Sequence, residues 1–147
     1  MTLSNLTPDE LAKACADTMW ATDNASKALG MAIEEIGTGF ARLSMVVRED
    51  MLNGQGMAHG GLMFTLADSA FAFACNTYNQ HTAAQHCAVT FLAPGHLGDT
   101  LTATAEERQR ATRSGIYDVT IHNQSGETIA EFRGHSRTVK GTLLPAS

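Results

Sequence analysis

Apolar residues recur at helical spacing at Leu11, Ala14, Cys15 and Met19, just after Thr7-Pro8-Asp9-Glu10. Thr7 is placed to cap a helix, Pro8 suits its first position, and Glu10 completes a capping box. A second short helical piece is predicted over 26–29, ended by Gly30. Residues 31–47 read as two extended segments broken at Gly37-Thr38-Gly39. Of these, 40–46 alternates apolar with polar, as a half-buried strand should. A loop rich in Gly and Asn follows over 52–58.

From 60 to 77 the chain reads GGLMFTLADSAFAFACNT. It is apolar on every side, which predicts a buried helix. It is too short and too rich in small residues to span a membrane, and Asp68 stands in its middle. Four strand-like runs follow at 83–91, 100–109, 115–123 and 128–139. Turn residues separate them, including Pro94-Gly95, Gly98-Asp99 and Ser125-Gly126. They predict an antiparallel meander. The fold class is therefore α+β, an antiparallel sheet wrapped around one long central helix. Without repeats, charge blocks or low-complexity linkers, residues 1–147 read as one domain with a short N-terminal helical segment.

Composition narrows the partners. A formal charge of −5 and a pI near 5.6 argue against nucleic acid. No signal peptide is visible, and three cysteines without a CxxC pair suit a reduced, cytoplasmic protein. The histidines lack zinc-ligand spacing, so neither a metal nor a cofactor is expected. Cys75 and Cys87, with no accompanying His motif, read as small buried hydrophobes.

Asp68 is the one charge between Gly60 and Thr77. Burying an unpaired carboxylate is costly, so it has either a hydrogen-bonding neighbour, such as Thr65 or Ser69, or a chemical task. At the helix start, His59-Gly60-Gly61 leaves N–H groups unshielded at the positive end of the dipole, where an oxyanion would be stabilised. The same glycines would also serve a tight turn. Gly60 and Asp68 are eight residues apart, about 12 Å along a helix. One small carbonyl cannot touch both, so a shared site requires two chains related by a two-fold axis. Asn53 is an amide suited to orienting a water or carboxylate, or else to an Asn-Gly turn. His59 is placed to contact a carbonyl or to organise its loop.

Met51-Leu52-Asn53-Gly54, followed after four residues by His59-Gly60-Gly61-Leu62-Met63-Phe64-Thr65-Leu66-Ala67-Asp68, closely resembles the hot-dog thioesterases of the phenylacetate-degradation type, the PaaI subfamily. Phe91-Leu92-Ala93-Pro94-Gly95, Gly115-Ile116-Tyr117-Asp118-Val119 and Phe132-Arg133-Gly134 extend the likeness over nearly the whole chain. The resemblance implies a hot-dog fold and hydrolysis of acyl-CoA thioesters of the phenylacetyl or hydroxyphenylacetyl type. It implies Asp68 as general base or nucleophile, Gly60 N–H as the carbonyl-polarising donor, and Asn53 and His59 as positioning groups. It also implies homodimers with the active site at their interface, paired into homotetramers. Where related members carry a hydroxyl residue after the helix, this chain has Ala84, with Thr82 and Gln85 nearby.

Gly61, Phe64 and Phe71, on the central helix, are candidates to contact the acyl group; such aromatics are otherwise core. Arg108, Arg110, Arg113 and Arg133 are candidates to hold the CoA phosphates, or else solvated strand ends. Two other functions stay open. His59 before the helix is compatible with a hot-dog hydratase or dehydratase. A non-catalytic acyl-CoA-binding protein is the other, although no helix-turn-helix appendage is visible.

Overall fold

A computed structural model describes residues 2–145. Helix α1 (Pro8–Thr22) starts as predicted: Thr7 Oγ1 accepts from Glu10 N while Glu10 Oε1 accepts from Thr7 N. Helix α2 (Asn24–Ala28) follows, capped by Asp23. Strands β1 (Ala32–Gly37) and β2 (Phe40–Val46) form a hairpin, and Gly39 makes its turn at φ +67°. Asp9 of α1 accepts from both the N–H and the hydroxyl of Thr38 in that turn, which ties α1 to the hairpin. Helix α3 (Gly60–Cys75) is followed by β3 (Thr82–Phe91), β4 (Thr100–Arg110), β5 (Ser114–His122) and β6 (Thr128–Thr138).

All six strands join one antiparallel sheet in the order β1-β2-β4-β5-β6-β3. This corrects the predicted meander. β4, β5 and β6 do run as one, but β3 pairs with β6 at the far edge and not with β4. The Pro94-Gly95 segment is accordingly a crossing and not a tight turn. It leaves β3 with Leu92 N on Ile129 O, passes under the start of α3 where Gly95 O accepts from Ala58 N, and reaches β2 where Gly98 N meets Val47 O. Hydrophobic pattern announces a strand but not its neighbour, and β3 finds its partner across this loop.

The sheet wraps α3. Along β2, β4 and β5 every second residue is buried against the helix: Ala41, Leu43 and Met45, then Leu101, Ala103 and Ala105, then Tyr117, Val119 and Ile121. The alanines let the helix lie close, while Leu66, Phe71 and Phe73 fill the space. Phe71 is the clearest case. Its ring packs on Tyr117 and Phe132 at centroid distances of 5.6 and 5.8 Å. A Cβ at Gly134 would stand 2.7 Å from it, so only glycine fits in β6 there. Truncating such a ring costs about 3–5 kcal/mol.

The sheet has two unlike edges. α1 packs on β1, with Trp20 against Phe73 of α3 at 6.2 Å. β3 is bonded on one side only, and most of its residues are exposed. No described helix is long and apolar enough to cross a membrane.

Candidate active site

The start of α3 is built by the loop before it. Asn53 Oδ1 accepts from Gln55 N (2.9 Å) and Met57 N (3.2 Å), and Asn53 N donates to Met57 O (2.7 Å). Two N–H donors fix the amide oxygen toward the loop, which leaves Asn53 Nδ2 without an acceptor among the described residues. Asn53 thus both makes the turn and presents a free donor. His59 caps α3: its Nδ1 accepts from Gly61 N at 3.0 Å, and its own N–H donates to Met51 O at 2.8 Å. This pairing puts the ring proton on Nε2.

Gly60 is the first helical residue, and its N–H has no acceptor among the described residues. The Phe91 ring lies across it, with carbons 3.1–3.5 Å from where a Cβ would be. Gly60 and Asn53 share a cleft of about 400 Å³ with Met57, Met63, Phe91 and Leu92. His59 and Gly61 line a neighbouring cleft of about 310 Å³ with Met51 and Leu62.

Asp68 lies in neither cleft, two helical turns further on. Both neighbouring hydroxyls are engaged elsewhere. Thr65 Oγ1 donates to Gly61 O at 2.8 Å, and Ser69 Oγ shares a 2.8 Å bond with Ser26 Oγ, itself bonded to Asp23. Asp68 therefore has no hydrogen-bond partner among the described residues. Half-buried and unpaired, its carboxyl has a pKa pushed above the ordinary value by burial. Its charge reaches toward β3: burial first, and then Asp68, push up the Cys87 thiol, and Cys75 is pushed to about 12 mainly by burial. Neither cysteine is a thiolate at neutral pH.

The other candidates fall apart spatially. Phe64 is partly buried, packed on Phe132 at 5.4 Å. Phe71 is wholly buried in the core and lines neither cleft at Gly60, so its expected substrate contact is corrected by the packing described above. Arg108 and Arg133 meet on the outer face of the sheet, where both pair with Asp118 at 2.8 and 2.7 Å. Arg110 stacks on Tyr78, its guanidinium carbon 3.6 Å from the ring centre, and donates to Gln80. Arg113 is exposed in the β4–β5 turn. None of the four lines the clefts at Gly60. Ala84 and Gln85 are exposed on β3, and the Thr82 hydroxyl donates to Gln80 O. Among the described residues no three His, Cys, Asp or Glu side chains are grouped to hold a metal ion.

Sequence reasoning missed Phe91 and its methionine neighbours. The sequence places Phe91 at the end of a strand, but only the crossing of the following loop brings that strand end over Gly60.

A wrapped sheet, a central helix with an open N–H at its start and an unpaired carboxylate in its middle define the hot-dog thioesterase class. The chain belongs to the thioesterase superfamily, which matches residues 55–130. It is 46% identical over 128 residues to the acyl-coenzyme A thioesterase PaaI of Escherichia coli, covering 87% of this chain and 91% of that protein. The structure of the E. coli PaaI protein from the phenylacetic acid degradation operon superposes with a TM-score of 0.91, covering 92% of this chain and 99% of that one. A Streptococcus pneumoniae thioesterase protein solved with coenzyme A superposes at 0.73 with 25% identity, over 76% and 90% of the two chains.

Proposed function

We propose that this chain hydrolyses acyl-CoA thioesters, aromatic ones of the phenylacetyl or hydroxyphenylacetyl type above all, to the free acid and CoA. The observation that carries the reading is Asp68: a half-buried carboxylate with no hydrogen-bond partner among the described residues, on the central helix of a thioesterase fold. The likeness to E. coli PaaI supports the acyl class, and the coenzyme A in the S. pneumoniae structure supports the carrier. A CoA-ester substrate suits a cytoplasmic enzyme.

In the proposed reaction Asp68 takes a proton from water as the water oxygen attacks the thioester carbon. The carbonyl electrons move onto oxygen, and Gly60 N–H donates a hydrogen bond to the oxyanion so formed. Collapse re-forms the carbonyl and breaks the C–S bond, and the CoA sulfur takes the proton back from Asp68. A carboxylate with a raised pKa is a stronger base than an ordinary aspartate, which suits it to this role. Asn53 Nδ2 and His59 are placed to position the substrate at the Gly60 end.

One helix cannot bring Gly60 and Asp68 to the same carbonyl, because about 12 Å separates them. The reading therefore includes a homodimer in which the Gly60 end of one chain faces Asp68 of the other. The open β3 edge, beside Asp68, is a ready surface for pairing with a second copy. Dimers of dimers complete the proposed assembly. Arg110 and Arg113, without carboxylate partners among the described residues, are better placed to receive CoA phosphates than Arg108 and Arg133, which share Asp118.

Thiol release from a panel of CoA esters tests the proposal. Faster turnover of phenylacetyl-CoA than of palmitoyl-CoA is expected. No release from any ester overturns the thioesterase reading, and a clear advantage for palmitoyl-CoA overturns the aromatic preference.

A further inference from the structure

We propose that Phe91 is the residue that makes the acyl site select aromatic groups. Its ring forms one wall beside the Gly60 N–H, and flat acyl groups are bound by stacking on it. The inference rests on the proposed thioester chemistry at Gly60.

Phe91 ends β3 and is 48% exposed, an unusual state for a phenylalanine beside a buried helix. It is nonetheless held in place. Its ring lies on Gly60, where the lack of a side chain allows carbons within 3.1–3.5 Å of the Cβ position. The ring thus has one face or edge on the helix start and the rest open to the cleft it shares with Asn53, Met57 and Met63.

The chain's other phenylalanines are committed elsewhere. Phe71 and Phe73 are buried in the core. Phe64 and Phe132 pack on each other. Phe40 lies under Arg42 at 5.3 Å, in the groove between α1 and β1. Phe91 alone among them lines the cleft at Gly60.

The chemistry of the acyl group then matters. In a phenylacetyl ester one methylene separates the carbonyl carbon from the ring. With a carbonyl held at Gly60 N–H, that one-methylene link lets the acyl ring reach the Phe91 ring, which lies 3.1 Å from the Gly60 Cβ position in the same cleft. Two aromatic rings in an offset or edge-to-face pair gain more than area burial alone provides, an advantage of about 3–10-fold in binding. A linear acyl chain buries similar area against Phe91 without that gain. Met57 and Met63, which line the same cleft, are adaptable and fit either shape.

The test compares kcat/KM for phenylacetyl-CoA and hexanoyl-CoA in wild type, Phe91→Leu and Phe91→Trp, with thermal unfolding as the check on folding. The expected result is a phenylacetyl-to-hexanoyl ratio about 3–10-fold lower in Phe91→Leu and restored in Phe91→Trp. A ratio unchanged in Phe91→Leu, whether both rates hold or both fall together, overturns the proposal while leaving the thioesterase reading intact. A wild-type protein that releases thiol from neither ester overturns both.

Discussion

Asp68 and Asp118 are both partly buried aspartates, and their surroundings are opposite. Asp118, on the outer face of the sheet, receives three short bonds from Arg133 and Arg108. These hold its carboxyl below the ordinary aspartate value, led by the Arg133 bond. Asp68, on the inner helix, receives none among the described residues, and burial alone holds its carboxyl above that value. A carboxylate kept for structure is satisfied by donors. One kept for chemistry is left basic, at a cost to stability.

Replacing Asp68 gives the largest expected effect. Asp68→Asn should slow thiol release about 10²–10⁴-fold, the usual contribution of a positioned base. It should also raise Tm at neutral pH. With the folded pKa above the unfolded one, the native state holds more protons, so stability is full below the unfolded pKa and is lost as pH rises through the folded one. The Tm gain of the Asn variant should therefore fade toward about pH 3, below both values.

Gly60→Pro comes next. Proline is well tolerated at the first helical position and removes the one N–H proposed to hold the oxyanion; His59, at φ −63° and ψ 128°, already has the backbone that precedes proline. The proline Cβ would meet the Phe91 ring at 3.1 Å, so Gly60→Ala, which adds the same contact and keeps the N–H, is the control and should retain most activity. A loss of about 10²–10³ in kcat is expected with the helix content unchanged by circular dichroism. Mixed oligomers of Asp68→Asn and Gly60→Pro chains should recover roughly a quarter of wild-type activity, since a two-fold pairing leaves one intact site in half of the dimers. No recovery, with mixing verified by native mass spectrometry, would place the reaction within one chain.

The smallest effect is expected at Asp118. Asp118→Asn should leave kcat within about two-fold and lower Tm by about 2–4 °C, as loss of a partly exposed ion-pair network costs about 1 kcal/mol. A large activity loss there would erase the contrast with Asp68.

Much of this contrast was legible in the residues. The capping box at Thr7, the hairpin turn at Gly39 and the helix beginning at Gly60 follow from local chemistry, so short-range pattern suffices for them. Asp68 stands out because no other charge interrupts its helix. What pattern leaves open is non-local. The pairing of β3 with β6 depends on a loop crossing under α3. Thr65 bonds Gly61 within α3, but that Ser69 is engaged with Ser26 depends on where α2 docks. Phe71 and Phe91 are both phenylalanines in apolar surroundings by sequence, yet one fills the core over Gly134 and the other lies open over Gly60.

Asp68, unpaired among the described residues, is proposed to act as the base. The pH dependence of kcat/KM for phenylacetyl-CoA, alongside the ¹³C NMR titration of the Asp68 carboxyl in the free protein, tests it most directly. An acid limb is expected whose midpoint lies above the ordinary aspartate value of 3.8 and coincides with the Asp68 titration. A carboxyl titrating at or below 3.8, or an activity limb that does not follow it, would contradict the claim.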